Sequence, residues 1–454
     1  MKKLQADVPP PTRQYLDDRL KMKTVLMIAP YFIPRRRVGA LRPFKFAVHL
    51  ENFGFKPVVL TIDSGSDRCS AREEELLKKI EVIELRSVID RTQPEKRSSM
   101  EKAPEPRHSS GLGNRFLNWI DRHTPVDTWI YFFRFRYRYI LKRAREVNPD
   151  LIWATGDPWS SLWLGEKLSR VLNKPLITDF RDPWTLSGVN LRKRSPLSVR
   201  ADRRVEERII ANSGKVVFTS AYTGKIYRDH YSLPEQKCEV IYNSIDSDLL
   251  PDKWEMKWES SLDPAFFNIL FFGRFRRLSP VSPAISYLEK LERVSPELAA
   301  VVRLHSFGLP DQDQRQEVLN SRYRDHFVFH KPVLPEMKRD VLQKADLLLL
   351  TTHPERDGVI PAKFWDYLDS GKPILSLLHH PEVHQILSDH HAGYQPVEKR
   401  TGYDDAAKWT CRLVQNPEGS EEYTSRLSSG SAQQIYSSLN AARKLATLFN
   451  ELLK

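Results

Sequence analysis

Cysteine is scarce in this chain, with three residues among 454, at the widely separated positions Cys69, Cys238 and Cys411. An odd and scattered set gives neither a disulfide framework nor a metal-binding cluster, and it is typical of a reducing cytoplasm. The histidines form no metal-like group either. We therefore expect no required metal and no cofactor.

Long apolar runs are also missing, since no segment approaches the roughly 20 residues that a membrane-spanning helix needs. The N-terminal residues lack the hydrophobic core of a signal peptide. With 40% hydrophobic and 28% charged residues, the composition is typical of a soluble globular protein. These features together predict a cytoplasmic protein.

Acidic residues are the minority charge, because 58 Asp and Glu stand against 71 Lys and Arg, for a formal net charge of +13. Such an excess favours polyanionic partners, which include nucleotide phosphates, anionic lipid surfaces and nucleic acid. The charge alone does not choose among these partners.

Short apolar runs alternate with helical patterns along most of the chain, as in parallel α/β sheets. Two such series of similar length predict two doubly wound, Rossmann-like domains that face a cleft. We expect a loose tail over 1–22, an N-terminal domain over 23–245 with a mobile loop near 64–113, a C-terminal domain over 246–430, and a final helix over 431–454.

Residues 358–375, G-V-I-P-A-K-F-W-D-Y-L-D-S-G-K-P-I-L, lie between two apolar runs and are typical of the helix and second strand of a βαβ unit. Free N–H groups at a helix start suit an anion such as a diphosphate, with Lys363 as its counter-charge. Asp366 follows about one turn inside, where a carboxylate can accept hydrogen bonds from vicinal hydroxyls. The alternative is an ordinary crossover whose polar residues are solvated.

Three further segments follow predicted strands, at the end where open α/β sheets bind ligands. They are residues 31–46 (Y-F-I-P-R-R-R-V-G-A-L-R-P-F-K-F), residues 154–161 with 178–185 (A-T-G-D-P-W-S-S and T-D-F-R-D-P-W-T), and residues 270–280 (L-F-F-G-R-F-R-R-L-S-P). A glycine such as Gly39 lets the backbone approach a phosphate or sugar closely. A solvated basic loop at the first segment and a simple turn at Asp182-Pro183 remain the alternatives.

The four segments, in this order, resemble motifs of retaining glycosyltransferases with the GT-B architecture, family-4-like. Those motifs read approximately Y-F-P-P-x-G-G-x-G-x-x-R-P-x-K-F, A-T-x-P-P-x-S with D-(F/L)-R-D-P-W, Y-x-G-(T/R)-x-(Y/F)-x-x-R-x-P, and G-x-(I/L)-P-(G/S)-K-(L/F)-F-E-Y-L. The resemblance covers nearly all of residues 23–454. It implies a GT-B fold whose C-terminal helix crosses back to the N-terminal domain. It also implies transfer of a sugar from a nucleotide diphosphate donor to a hydroxyl of a glycan or lipid-linked acceptor, in polysaccharide or glycolipid assembly.

The resemblance also implies roles for three groups of residues. The residues expected at the reaction centre are Asp182, Arg181, Arg274 and Arg277. The residues expected to bind the donor are Gly39, Arg42, Gly273, Arg276, Gly358, Lys363 and Asp366. The residues expected on the acceptor side are Asp157, Trp159 and Trp184.

The chain departs from the family pattern at several of these positions. Arg35 and Arg36 replace the paired glycines of the first motif, where cationic side chains would have to supply charge instead. Gly358 replaces the first of two acidic residues, so that the nearby Glu355 or Asp357 would have to take its place.

Residues 126–147 combine an apolar helical face with a basic stripe of Arg134, Arg138 and Lys142 and with nearby aromatic residues. Such a helix suits an anionic membrane interface, which would make the protein peripheral at the inner face of the membrane. A core-packed helix with a solvated basic face explains the same pattern equally well.

Two other functions fit the same fold. A nucleotide-sugar epimerase or hydrolase would convert or release the sugar without an acceptor. A non-catalytic binding protein would hold the nucleotide sugar without turnover, as the loss of the acidic residue at Gly358 and of the glycine pair suggests. We expect no nucleic acid partner, since only the net charge points to one.

Overall fold

The computed structural model describes residues 22–35, 38–63, 69–86, 119–191, 194–245, 249, 256–259, 262–353, 356, 358–396, 402–416 and 431–454. They form two α/β units, each built on its own parallel sheet. The predicted tail over 1–22 and most of the predicted linker after Ile245 lie outside the described residues.

The strands of the first sheet are β1 (Lys23–Ile28), β2 (Phe55–Ile62), β3 (Glu81–Leu85), β4 (Leu151–Gly156), β5 (Leu176–Phe180), β6 (Lys215–Phe218) and β7 (Cys238–Val240). They are parallel and lie in the order β3-β2-β1-β4-β5-β6-β7. Leu26 of β1 is in register with Val58 of β2 on one side and with Ile152 of β4 on the other. The order therefore reverses between β1 and β4, which is where doubly wound sheets bind ligands.

Helices cover both faces of this sheet. They are α1 (Val38–His49), α2 (Ala71–Leu77), α3 (Trp129–Val147), α4 (Ser160–Leu172), α5 (Gly188–Leu191), α6 (Pro196–Asn212) and α7 (Ala221–Tyr231). Successive β1 side chains alternate between the two faces: Val25 and Met27 pack with α1, and Leu26 and Ile28 pack with α3 and α4.

The strands of the second sheet are β8 (Phe267–Phe271), β9 (Val302–Phe307), β10 (Phe327–His330), β11 (Leu347–Leu350), β12 (Ile374–Ser376) and β13 (Gly393–Tyr394). They are also parallel, in the order β10-β9-β8-β11-β12-β13. This order repeats that of the first sheet, with the reversal between β8 and β11. The second unit is therefore another Rossmann-like fold, as predicted.

The second sheet is likewise covered by helices on its two faces. They are α8 (Ser282–Val294), α9 (Pro296–Val301), α10 (Gln312–Asn320), α11 (Lys338–Gln343), α12 (Lys363–Ser370), α13 (Pro381–Asp389) and α14 (Gly402–Gln415). No helix in the described part of the chain is both long and apolar enough to cross a bilayer.

The C-terminal segment returns to the first unit, which confirms the predicted crossing. It forms α15 (Ser431–Ile435) and α16 (Ser438–Leu452) rather than one helix over 431–454. The single helix was a wrong prediction, because the Ser437 hydroxyl caps α16 by accepting the N–H of Asn440 at 3.1 Å. The α16 ring of Phe449 packs edge-on against Phe55 of β2, with centroids 5.1 Å apart.

The loop predicted over 64–113 is contradicted over part of its length. Residues Ala71–Leu77 form α2, whose start carries a capping box of Ser70 and Glu73, and Glu81–Leu85 form the edge strand β3. The sequence pattern missed β3 because an edge strand leaves alternate side chains in solvent. Residues 64–68 and 87–113 lie outside the described part of the chain.

A buried ion pair joins α1 to the carboxyl end of β5. The Arg42 guanidinium donates to Asp179 through Nε, at 3.0 Å from Oδ2, and through Nη2, at 2.7 Å from Oδ1. Its Nη1 donates to the carbonyl of Tyr242 at 2.9 Å, and the Thr155 hydroxyl donates to Asp179 at 2.8 Å. Each nitrogen of the Arg42 guanidinium, a predicted donor-binding residue, is therefore engaged inside the first unit.

We predict that Asp179→Asn lowers the free energy of unfolding by about 3–5 kcal/mol, because it leaves Arg42 as an uncompensated buried charge. Urea unfolding measures the loss. The control is Lys56→Ala, which breaks the exposed Lys56–Glu81 pair of 2.8 Å and should cost at most about 1 kcal/mol. Equal losses in the two variants would contradict a structural role for the buried pair.

Candidate functional site

A glycine turn and a lysine meet at the reversal point of the second sheet. Gly273 follows β8 with φ +125°, a conformation that favours glycine, and a Cβ there would lie 3.3 Å from Lys363 Nζ. The Lys363 side chain folds back from the start of α12, with its ammonium 3.4 Å from the centroid of the Phe271 ring. The two predicted donor residues Gly273 and Lys363 are therefore adjacent.

Arginines surround this turn. Burial, with repulsion from Arg356 and Arg274, lowers the pKa of Arg276, and Asp311 opposes the shift. Arg274 forms a half-exposed ion pair with Asp311 at 3.3 Å. We call Arg274, Arg276, Arg356 and Lys363 the cation cluster. Arg277 is exposed on the same turn.

Arg356 was not predicted from the sequence. It lies between Glu355 and Asp357, and no local sequence pattern distinguishes it from a solvated loop arginine. Both acidic residues lie outside the described part of the chain, so their predicted role is untested.

The cation cluster changes the protonation of its lysine. Burial, together with repulsion from Arg276 and Arg356, lowers the pKa of Lys363 to about 7, and the carboxylate of Asp366 opposes the shift. The ammonium therefore loses its proton near neutral pH unless an anion stabilises the charge. A cluster of like charges with a depressed lysine pKa is suited to an anionic ligand.

Asp366 lies one turn into α12, as predicted, and forms an ion pair with Lys338, whose Nζ is 2.7 Å from Oδ1. The pairing with Lys338 was not predicted from the sequence, because the two residues are in different helices.

The cation cluster faces the first unit across the cleft. Arg356 Nη2 lies 3.7 Å from Oδ1 of Asp182, in the loop after β5. Burial raises the pKa of Asp182, with Arg356 and Arg181 opposing the increase and Asp157 adding to it. Asp182 and Lys363, both predicted site residues, therefore belong to neighbouring walls of one cleft.

Arg181 is held against the β4 loop on the same wall. Its Nε donates to the carbonyl of Gly156 at 2.8 Å, and its Nη2 lies 3.1 Å from Oδ1 of Asp157 and also donates to the Asp157 carbonyl. A Cβ on Gly39 would collide with the Arg181 guanidinium. The glycine of the first motif thus makes room for an arginine of the second.

Trp159 and Trp184 stack on each other beside these residues, with centroids 5.3 Å apart and planes within 6°. The backbone N–H of Trp184 donates at 2.8 Å to the Tyr227 hydroxyl, which in turn donates at 2.5 Å to the buried carboxylate of Glu206. The Thr185 hydroxyl also donates to Glu206. The sequence did not indicate Glu206, whose buried carboxylate positions the loop that carries Asp182.

Gly358 lies at a contact between the two units rather than among the cations. Its carbonyl accepts the hydroxyls of Ser220 at 2.5 Å and Thr223 at 3.0 Å, and its φ is +79°. A Cβ at this position would lie 2.6 Å from Cδ1 of Tyr222, so an acidic side chain does not fit here. The positive φ and the Tyr222 contact therefore both favour glycine at position 358.

A second contact between the units involves Glu382 of α13. Its carboxylate accepts the backbone N–H groups of Ala221 at 2.8 Å and Tyr222 at 2.7 Å, and the Tyr242 hydroxyl at 2.8 Å. The carboxylate thus caps the start of α7 from the opposite unit. Hydrogen bonds between polar groups thus join the two units at the start of α7.

Arg35 does not supply charge to a ligand in the way that the sequence suggested. Its side chain is buried under the loop after β1, near the Tyr31 ring and the Asp63 carbonyl. Arg36 lies outside the described residues. Within the described ranges, no group of three or more His, Cys, Asp and Glu side chains is placed to hold a metal ion.

One protein-family model, Glycosyltransferase Family 4, matches residues 103–249, about a third of the chain. The match spans the β4 and β5 loops of the first unit. No curated protein sequence matches the chain.

Several solved structures share the fold. The Anabaena protein Alr3699/HepE, crystallised with UDP, has a TM-score of 0.59 and 16% identity over 95% of this chain and 100% of that one. A glycosyltransferase from Rickettsia africae has a TM-score of 0.58 and 14% identity over 96% and 99%. Sucrose-phosphate synthase from Thermosynechococcus elongatus has a TM-score of 0.63 and 14% identity over 95% and 99%. The chain has the GT-B fold, as the sequence predicted.

We predict that Gly39→Ala lowers the free energy of unfolding by about 1.5–3 kcal/mol, because the methyl group displaces Arg181 from its charge-assisted hydrogen bonds. In an Arg181→Ala background the same substitution should be neutral, or stabilising by up to about 1 kcal/mol, since alanine favours helix α1. Urea unfolding of the four proteins of this double-mutant cycle measures the coupling. Equal effects in both backgrounds would refute the contact.

Proposed function

We propose that the protein is a retaining glycosyltransferase that moves a sugar from a nucleotide diphosphate donor to a hydroxyl acceptor. The observation that carries the proposal is the cation cluster at the reversal point of the second sheet, opposite Asp182. Four cations around the Gly273 turn can stabilise the negative charge that develops on a departing diphosphate. The match of residues 103–249 to the family model supports the same class of reaction.

In this proposal the protein acts by position and charge rather than through a covalent intermediate. The cation cluster stabilises the diphosphate as the glycosidic bond breaks, and the acceptor attacks from the same face of the sugar. Arg181 and Asp182 orient the sugar or the acceptor at the opposite wall. Asp366 holds the ribose of the nucleotide together with Lys338.

Uridine diphosphate sugars are the first donors to test. Alr3699/HepE, which shares the fold, was crystallised with UDP and with UDP-glucose. The acceptor is a glycan or a lipid-linked glycan, in polysaccharide or glycolipid assembly. No metal is required, because the cation cluster supplies the positive charge.

A non-catalytic nucleotide-sugar-binding protein is the second candidate, and the observation that favours it is Gly358. The contact with Tyr222 leaves no room for the acidic residue of the family motif at this position. Such a protein would bind the donor and release no nucleotide. An epimerase or hydrolase would act on the donor without any acceptor.

We also propose that helix α3 binds an anionic membrane surface. The apolar face of this helix is packed in the core, with Phe132, Phe133 and Ile140 buried. The outward face instead exposes three aromatic rings, Tyr131 (52%), Phe135 (85%) and Tyr139 (47%). Exposed Arg134, Arg138 and Lys142 lie on the same outward face. Aromatic and basic side chains together suit a lipid headgroup region.

The membrane proposal predicts that Arg134→Glu, Arg138→Glu and Lys142→Glu together weaken binding to anionic vesicles by about 100-fold or more, since each cation contributes about 1 kcal/mol. Vesicle co-sedimentation, with phosphatidylcholine vesicles as reference, measures the change. The control reverses three exposed cations of the second unit, Arg293, Arg324 and Lys331. Loss of binding in the control alone would contradict a role for α3.

The donor proposal predicts proton uptake. At pH 8 free Lys363 is largely neutral, since its pKa is about 7. A bound diphosphate raises that pKa, so that binding of UDP-glucose takes up close to one proton at pH 8 and little at pH 6. Calorimetry in buffers of different ionisation enthalpy measures the proton uptake. The Lys363→Met substitution should abolish this uptake and weaken the binding of UDP-glucose by about tenfold or more. Arg293→Ala, in the same unit, is the matched control.

UDP-, GDP-, ADP- and dTDP-glucose are compared in the same experiment, with nucleotide release followed in the presence and absence of sugar acceptors. Acceptor-dependent release supports transfer. Release without an acceptor indicates hydrolysis or epimerisation, and binding without release indicates a binding protein. Absence of binding by every donor would overturn the proposed donor site.

A further inference from the structure

A cavity of about 200 Å³ lies at the reversal point of the first sheet. Its lining includes Tyr31 from the loop after β1, Asp157 and Trp159 from the loop after β4, Trp184 from the loop after β5, and Asp127 with Trp129 from the start of α3. Doubly wound sheets bind ligands at the point where the strand order reverses, because the loops after the two adjacent strands there lead to opposite sides of the sheet. The cavity therefore occupies the ligand position of the first unit, next to Asp157 and Arg181.

The carboxylate of Asp127, which was not predicted from the sequence as a site residue, lines this cavity. Its Oδ1 accepts the N–H of Trp129 at 3.0 Å, and its Oδ2 accepts the N–H of Ser160 at 2.9 Å. The starts of α3 and α4 thus converge on one carboxylate. Each oxygen of an ionised carboxylate can accept a further hydrogen bond, so Asp127 retains capacity for a ligand.

The segment before Asp127 is held firmly. Val126 has φ +72°, which is unusual for a β-branched residue, and its N–H donates to Oδ1 of Asp202 at 2.5 Å. Arg194 donates to Asp202 at 2.8 Å and to the carbonyl of Thr124 at 2.6 Å. The ion pair therefore holds a strained backbone that presents Asp127 to the cavity.

The charge of the cavity is negative. Burial raises the pKa of Asp127 to about 6. The backbone N–H and hydroxyl of Ser160 and the backbone N–H of Trp129 oppose the shift, and Asp157 adds to it, so Asp127 is mainly ionised above neutral pH. Arg194, the cation in the lining, is engaged by Asp202 and Thr124. A phosphate would be repelled here, whereas a neutral hydroxyl would find an acceptor.

The shape of the cavity fits one ring. Its volume is below the 300–1,000 Å³ that is typical of sites for drug-sized ligands. The rings of Tyr31 and Trp129 are partly exposed, and Trp159 and Trp184 stack at the same site. A pyranose, with apolar C–H faces and hydroxyls on its edge, matches an aromatic wall with one carboxylate.

We propose that this cavity binds the terminal, uncharged sugar ring of the acceptor, and that Asp127 accepts a hydrogen bond from a hydroxyl of that ring. The inference rests on the proposed function, which it deepens by naming the chemistry of the acceptor end. The anionic donor and the neutral acceptor are then separated by charge, with cations on the second unit and carboxylates on the first.

Saturation-transfer NMR of the full chain tests the inference. The probes are the methyl pyranosides of glucose, galactose, mannose and N-acetylglucosamine, each with UDP present so that no turnover occurs. We expect saturation transfer to at least one pyranoside. In the Asp127→Asn variant that pyranoside should bind about 10- to 100-fold more weakly, because a hydrogen bond to a charged group is lost. The matched control is Asp229→Asn, at an exposed carboxylate of α7.

The thermal stability of Asp127→Asn and its calorimetric binding of UDP-glucose show whether the variant is folded. Should it fail to fold, Tyr31→Ala replaces it, because this change removes one wall of the cavity without touching the carboxylate. Unchanged pyranoside binding in the folded variants would overturn the inference. So would the absence of pyranoside binding by a wild-type protein that binds UDP-glucose. Pyranoside binding by a protein that binds no nucleotide sugar would overturn the proposed function and uphold the cavity assignment.

Discussion

The buried ion pair between Arg42 and Asp179 is the interaction on which the first wall of the cleft depends. It joins α1, the end of β4 through Thr155, the end of β5, and the chain after β7 through Tyr242. Gly39 is three residues before Arg42, and Arg181 is two residues after Asp179. The ion pair therefore sets the distance between α1 and the end of β5. At this distance the guanidinium of Arg181 fits over Gly39, and the adjacent Asp182 is positioned as a consequence.

Charge is distributed unequally between the two walls. The second unit gathers cations around the Gly273 turn, and their mutual repulsion is a cost that an anionic ligand would relieve. The first unit carries carboxylates and stacked indole rings at its reversal point. Arg356 and Asp182 are the closest ion pair across the cleft that the described residues show, at 3.7 Å. Two ligands of different charge therefore have separate places that meet at this pair.

The contacts between the two units at the start of α7 are polar, whereas after β7 the Tyr242 ring packs against Trp365 of α12, with centroids 5.4 Å apart. The Gly358 carbonyl and the Glu382 carboxylate both bind the start of α7, while α16 packs in the apolar core of the first unit. Hydrogen bonds between the units can be replaced by hydrogen bonds to water at little cost in free energy, whereas exposing the apolar face of α16 to water would be unfavourable. Motion between the units would thus open the α7 contacts and leave α16 in place.

Local patterns in the sequence determined most of the fold. Apolar runs predicted every strand except β3 and β13, which are short edge strands with partly exposed side chains, and the segments after β1, β4, β5, β8 and β11 pointed to the residues of the cleft. The sequence did not identify partners. Arg42 and Asp179 are 137 residues apart in the sequence. Only contacts in the tertiary structure identify four further residues of the cleft, which are Arg356, Lys338, Glu206 and Asp127. Periodicity is local and is visible in the sequence, but which charges are buried, paired or left for a ligand is decided only when distant strand ends meet.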